Sequence, residues 1–208
     1  MFERILIMAP HTDDGEFGCG GAIARFIDEK KPVFYVAFSS AEASVPPEFP
    51  RDTLVKEVMK ATKVIGIEKD NLIILDFRVR DFPKQRQEIL DKMLDLKKKI
   101  NPDTVLLPSP NDTHQDHLTI YEEGFRAFKD ITMLGYELPW NNLTFNTEAF
   151  ILLKEEHVEK KIAAIKEYKS QEKRLYSKPD FIRGLARTRG VQIGVTYAES
   201  FEVVRWVL

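Results

Sequence analysis

The sequence predicts an α/β fold, a mostly parallel central sheet flanked by helices on both faces, with a C-terminal elaboration. Short apolar runs alternate with helical patterns through the first half of the chain. That spacing of strand, helix and strand is the signature of βαβ units, whose parallel strands are covered on both sides. Turns bearing histidine and carboxylate follow two of the runs, at the place where open α/β sheets build their chemistry.

Five sheet strands are expected, at Arg4 to Ala9, Val33 to Ser39, Leu72 to Phe77, Thr104 to Pro108 and Thr132 to Glu137. Helices are expected at Gly21 to Lys30, Leu54 to Ile65 and Gln85 to Ile100. The last sets Ile89, Met93, Leu96 and Ile100 on one stripe with charge opposite. The rhythm breaks after Gly135. Pro139, Asn141 and Asn142 make a turn-rich loop, followed by a strand from Phe145 to Leu153, a helix from Glu156 to Ser170, a short helix from Phe181 to Arg187 and a closing strand from Phe201 to Val207. No linker-like stretch sets this last third apart, so residues 1–208 read as one domain. The segment 39–50, with Pro46, Pro47 and Pro50, follows a strand end and is a candidate rim or lid.

A chain of 208 residues with 43% hydrophobic and 31% charged side chains can bury a full core. A net charge of −2 gives no electrostatic footprint for nucleic acid, and Lys97-Lys98-Lys99 reads as the solvated end of a helix. No signal peptide and no apolar run of about 18 residues is visible, which implies a cytoplasmic protein without a membrane span. Cys19 is the single cysteine, which excludes a disulfide framework and an all-thiolate metal site, and its place between glycines suits a packing residue.

Two clusters carry the chemistry: His11, Asp13 and Asp14 behind the first strand, and His114, Asp116 and His117 behind the fourth. Either alone could serve as helix capping. Together they supply the imidazole and carboxylate donors of one mononuclear metal site, with zinc the best match and iron(II), cobalt and manganese also compatible with such donors. Adjacent residues on a turn point in different directions, so one of Asp13 and Asp14 can bind the ion while the other faces its water. One histidine of the second cluster completes a His/Asp/His set, and Asp116 can orient an imidazole from behind. His157, at the start of a charged helix, reads as a solvated surface residue. Arg80, Glu137 and Trp140 follow strand ends and are candidates for gripping a substrate.

Pro10-His11-Thr12-Asp13-Asp14 with Gly20-Gly21, and His114-Gln115-Asp116-His117, resemble the motifs of the PIG-L/LmbE-like zinc-dependent N-acetyl deacetylases. Gly135-Tyr136-Glu137, Tyr168-Lys169-Ser170-Gln171 and Tyr197-Ala198-Glu199-Ser200-Phe201 resemble later blocks of that family, in the same order. The resemblance implies a Rossmann-like fold, His11, Asp14 and His117 as zinc ligands, Asp13 as general base, His114 on the oxyanion and Asp116 behind a histidine. It implies a small N-acetylated sugar of N-acetylglucosamine type as substrate, and a homo-oligomer, trimer or hexamer. Two positions depart from the family pattern. Thr12 stands where proline is usual, and Leu54 where sugar-processing relatives often carry arginine.

Two other readings compete. A metal phosphoesterase also uses His and Asp clusters, but needs more bridging carboxylates. A sugar-nucleotide binding module is suggested by Gly18-Cys19-Gly20-Gly21, whose spacing is not Gly-x-Gly-x-x-Gly.

Overall fold

The computed structural model describes residues 2–208. Seven strands form one sheet in the order β3-β2-β1-β4-β5-β7-β6. The strands β1 (Ile5–Ala9), β2 (Val33–Ala37), β3 (Leu72–Ile74), β4 (Thr104–Pro108) and β5 (Thr132–Tyr136) run parallel. The C-terminal strands β6 (Ala149–Leu153) and β7 (Tyr197–Arg205) add antiparallel. Every residue of β1, β4 and β5 is buried, as continuous apolar runs in a two-sided sheet require.

Alternate residues of β1 feed two separate cores. Ile5, Ile7 and Ala9 belong to one, which includes residues of α1 (Asp14–Asp28), α2 (Thr53–Ile65), α5 (Glu155–Ile165) and α6 (Pro179–Gln192). Leu6 and Met8 belong to the other, with residues of α3 (Arg86–Ile100) and α4 (Gln115–Ala127). The α3 stripe of Ile89, Met93, Leu96 and Ile100 is buried as its spacing predicts. Gly66, in the left-handed region at φ 108°, closes α2.

Several element boundaries differ from the sequence reading. The first helix begins at Asp14 rather than Gly21, because tertiary packing overrides the low propensity of its glycines. A Cβ on Gly18 would stand 2.3 Å from Tyr136 Cδ2, so the glycine permits close seating on the sheet. The helix is interrupted at Cys19 (φ −142°, ψ 26°). Beyond this kink, Gly21 and Ala22 donate their N–H groups to the Glu199 carboxylate at 2.9 and 2.7 Å, so the expected start marks the resumption of the helix. The short helix expected at Phe181 is longer, Pro179–Gln192, and β7 begins at Tyr197 rather than Phe201.

His157 corrects a further expectation. It is 2% exposed, not solvated, because its Nδ1 accepts the Lys154 backbone N–H at 3.2 Å and caps α5 from within. Among the described residues no helix is long and apolar enough to cross a membrane.

Candidate active site

Strands β1 and β4 are neighbours in the sheet, and β1 also pairs with β2 on its other side. Strand order therefore reverses between β1 and β4, a topological switch point, and the segments leaving their carboxyl ends diverge to open a crevice. The turn after Ala9 carries His11, Asp13 and Asp14. The loop after Pro108 leads into α4, whose first residues carry Asp116 and His117, with His114 at the N-cap. This topology brings together two clusters separated by some hundred residues.

Three donor atoms meet at one point. His11 Nδ1 lies 3.1 Å from Asp14 Oδ2, Asp14 Oδ2 lies 3.2 Å from His117 Nε2, and His117 Nε2 lies 3.3 Å from His11 Nδ1. A tetrahedral zinc site with bonds of about 2.0–2.1 Å has ligand-to-ligand separations of about 3.3–3.4 Å, so the triangle has the size of one face of such a site.

The other ring nitrogens are taken by carboxylates. His11 Nε2 is 2.9 Å from Asp116 Oδ2, and His117 Nδ1 is 2.8 Å from Asp112 Oδ2. With a proton on each of those nitrogens, both remaining lone pairs turn toward Asp14, and three electron-rich atoms face one another around a place for a cation. Burial by itself would lower the His117 pKa, yet the Asp14 charge and the bond to Asp112 push it up to about 10. Burial would likewise raise Asp14, but His117 and His11 hold it well below the carboxylate range. The cluster is organised around positive charge.

Asp13 behaves oppositely to its neighbour. Its carboxylate lines the cleft and makes no side-chain hydrogen bond at the start of α1. Burial and the Asp14 charge push its pKa up to about 7. His114 also lines the cleft, its ring centroid 5.0 Å from that of His11 and 4.7 Å from that of His117. Its Nδ1 accepts the Asp116 N–H at 3.1 Å, which leaves the proton of the neutral ring on Nε2. Burial and the charges of His117 and His11 lower its pKa to about 4, so the ring is neutral over the physiological range. The ring nitrogens of His11, His114 and His117 offer a second grouping of donor atoms within 4.8 Å. Protonation of His114 at Nε2 favours Asp14 over His114 as the third donor.

Thr12, in the usual proline position, is fixed by other means. Its carbonyl accepts the hydroxyls of Tyr35 at 2.9 Å and Tyr168 at 2.8 Å. Both hydroxyls also meet the carboxyl of Glu16, whose pKa burial pushes up to about 8. A protonated Glu16 supplies the additional hydrogen that this crowded group of oxygens needs.

The surrounding cleft has a volume of about 380 Å³. Of the three expected substrate residues, Arg80 and Trp140 line it, with Trp140 stacked on Tyr176 at 3.9 Å between ring centroids. Glu137 does not. It is 7% exposed and its carboxylate is claimed by Arg189 of α6, at 2.9 Å from Nε, and by Ser200 Oγ. Ala41 and Ser44 place part of the 39–50 segment on the rim, and Leu54 lines the wall.

Sequence reasoning missed Asp112, the partner of His117, and the wall residues Gln171, Arg174 and Tyr176. An acid five residues before a histidine, in a turn with Asn111 and Thr113, was the signal for Asp112. The wall residues come from the 169–178 loop; Gln171 ends a block that resembles the family, whereas Arg174 and Tyr176 have no local signature.

Residues 6–128 match the PIG-L family, described as GlcNAc-PI de-N-acetylase. The chain belongs to the PIG-L family. It is 30% identical over 172 residues to the uncharacterized deacetylase YaiS of Escherichia coli (strain K12), a match covering 80% of this chain and 90% of that protein. Its fold is similar to that of N,N'-diacetylchitobiose deacetylase from Pyrococcus horikoshii, with a TM-score of 0.81, 22% identity, and coverage of 97% of this chain and 84% of the other. A conserved protein of Thermus thermophilus gives a TM-score of 0.80 at 24% identity, covering 100% of this chain and 97% of the other. At these identities the likeness to solved structures is one of fold. In the PIG-L match, both clusters fall inside the matched segment, whereas the loop bearing Gln171, Arg174 and Tyr176 lies outside it.

Proposed function

We propose that this protein is a metal-dependent deacetylase that hydrolyses the acetamide of an N-acetylated amino sugar, of N-acetylglucosamine type and joined to a further group, to acetate and a free amine. The observation that carries this reading is the triangle of His11 Nδ1, Asp14 Oδ2 and His117 Nε2, each histidine backed by a carboxylate, in a chain of the PIG-L family. The relatives named as deacetylases, including the diacetylchitobiose enzyme of the same fold, support the substrate class.

His11, Asp14 and His117 would hold the ion, and their mixed nitrogen and oxygen donor set with a fourth position left open suits catalytic zinc. When bound, such an ion polarises the amide carbonyl and lowers the pKa of a neighbouring water toward about 7. Asp13, unpartnered and raised in pKa, accepts the proton of the attacking water and returns it to the departing nitrogen. His114 donates its Nε2–H to the oxygen on which negative charge develops, a role a neutral ring can fill. Asp116 and Asp112 fix the tautomers of His11 and His117. A two-metal phosphoesterase would need carboxylates bridging two ions, and the inward donors here surround one point.

A screen of N-acetylated sugars and their conjugates for acetate release by zinc-loaded protein tests the reading. Release from at least one amino-sugar acetamide, abolished by chelation, is expected. Absence of release across the panel by fully metal-loaded protein would overturn it.

A further inference from the structure

The chain has twelve arginines. Eight reach a carboxylate, a backbone carbonyl or an aromatic ring. The other four, Arg51, Arg78, Arg80 and Arg174, have no side-chain partner among the described residues. All four line two adjoining clefts on the active edge of the sheet, which meet at Val79. In the neighbouring cleft of about 580 Å³, Arg51 and Arg78 share the walls with Glu42 and Asp76, so charge there is balanced. The catalytic cleft differs. Its acids are Asp13 and Asp14; Asp14 pairs with His11 and His117, and neither acid forms an ion pair with Arg80 or Arg174.

Arg80 is also held where a side chain is costly. Its φ is 67°, in the left-handed region that favours glycine and strains a long side chain. The strain is imposed by the site, because the Arg80 N–H donates to Asp116 Oδ2 at 2.6 Å, the same oxygen that holds His11. A residue that glycine would relieve carries a guanidinium beside the catalytic cluster. Arg174 stands on the 169–178 loop, tied down where the Ser170 N–H and Oγ donate to Glu57 at 3.0 and 2.6 Å.

From this pattern we propose that Arg80 and Arg174 form an anion-binding subsite, so that the substrate carries a phosphate or carboxylate in addition to its acetamide. Planar guanidinium groups bind either anion through paired N–H donors, and this grip would sit apart from the metal. The proposal rests on the deacetylase reading for the identity of the substrate, but the subsite can be tested by binding alone.

The test measures binding of three deacetylated probes to metal-loaded protein by titration calorimetry: glucosamine, glucosamine 6-phosphate, and muramic acid, which is glucosamine carrying a lactyl carboxylate. At least one anionic probe is expected to bind about tenfold or more tightly than glucosamine, with the gain shrinking as salt rises. Whichever anion shows the gain identifies the preferred group. Arg80→Gly, which relieves the backbone, and Arg174→Gln should each remove most of the gain while metal content stays at one ion per chain. Equal affinity for all three probes, or no binding of any, would overturn the proposal. A gain that survives in the double variant would also overturn it, by placing the anion on the metal. Acetate release from neutral N-acetylglucosamine conjugates is scored separately, so a failure of the deacetylase reading is distinguishable from a failure of the subsite.

Discussion

Asp13 and Asp14 are adjacent in sequence and opposite in electrostatics. Asp14 lies between two imidazoles and stays ionised, while Asp13 has no partner and is pushed up to about 7. Asp13→Asn keeps size and polarity but cannot accept a proton, so metal analysis should still find one ion while kcat falls about 100-fold or more. A base must be ionised to act, so activity should be lost as pH falls through the Asp13 pKa. A bound dication adds positive charge nearby and draws that limb below about 7. His114→Ala should also retain the ion and lower kcat about 100-fold with little change in KM, because the ring acts mainly in the transition state. With its pKa near 4, His114 is already neutral, so a pH–rate profile should show the same alkaline limb in wild type and variant. The roles proposed for these residues follow the motif resemblance, whereas the tautomer of His114 was not legible in the sequence. It depends on a backbone N–H of α4 that only the fold supplies.

At the scale of elements, α1 shows how a site is carried by a helix of poor intrinsic propensity. Its glycines seat it on Tyr35 and Tyr136, and its second half resumes against Glu199, which is itself paired with Lys161 at 2.7 Å. Both charges of that pair are nearly buried. Lys161→Ala leaves Glu199 without its cation and should cost about 3 kcal/mol, readable as a lowered midpoint in urea unfolding. The 169–178 loop depends in the same way on Glu57. Glu57→Ala releases Ser170 and the wall residues beyond it, so KM should rise by about tenfold while metal content is unchanged. Periodicity made α2 and α3 legible because their stripes are amphipathic. It misplaced the start of α1, because glycine packing is decided by partners far along the chain, and the burial of His157, because a cap on the Lys154 N–H three residues back leaves no mark on hydrophobic periodicity.

For the whole molecule, the governing fact is the reversal of strand order between β1 and β4, which joins two clusters that neither strand could assemble alone. Apolar runs with helices between them made the parallel half of the sheet legible, and their polar carboxyl ends marked the site. The antiparallel β7 was less legible in extent, since its first residues, Tyr197 to Ser200, mix charge with small side chains. Glu137 was misread for a related reason. A strand-end carboxylate can face a substrate or an arginine of a later helix, and local sequence does not distinguish them. The most direct test of the central claim is to strip the protein of metal and titrate zinc back while recording acetate release from the best N-acetylated amino-sugar conjugate. Activity should rise in proportion to added ion and saturate at one equivalent per chain, with no such rise in the His11→Ala and His117→Ala variants. Full activity in the metal-free protein, or an unaltered titration in both variants, would contradict the account.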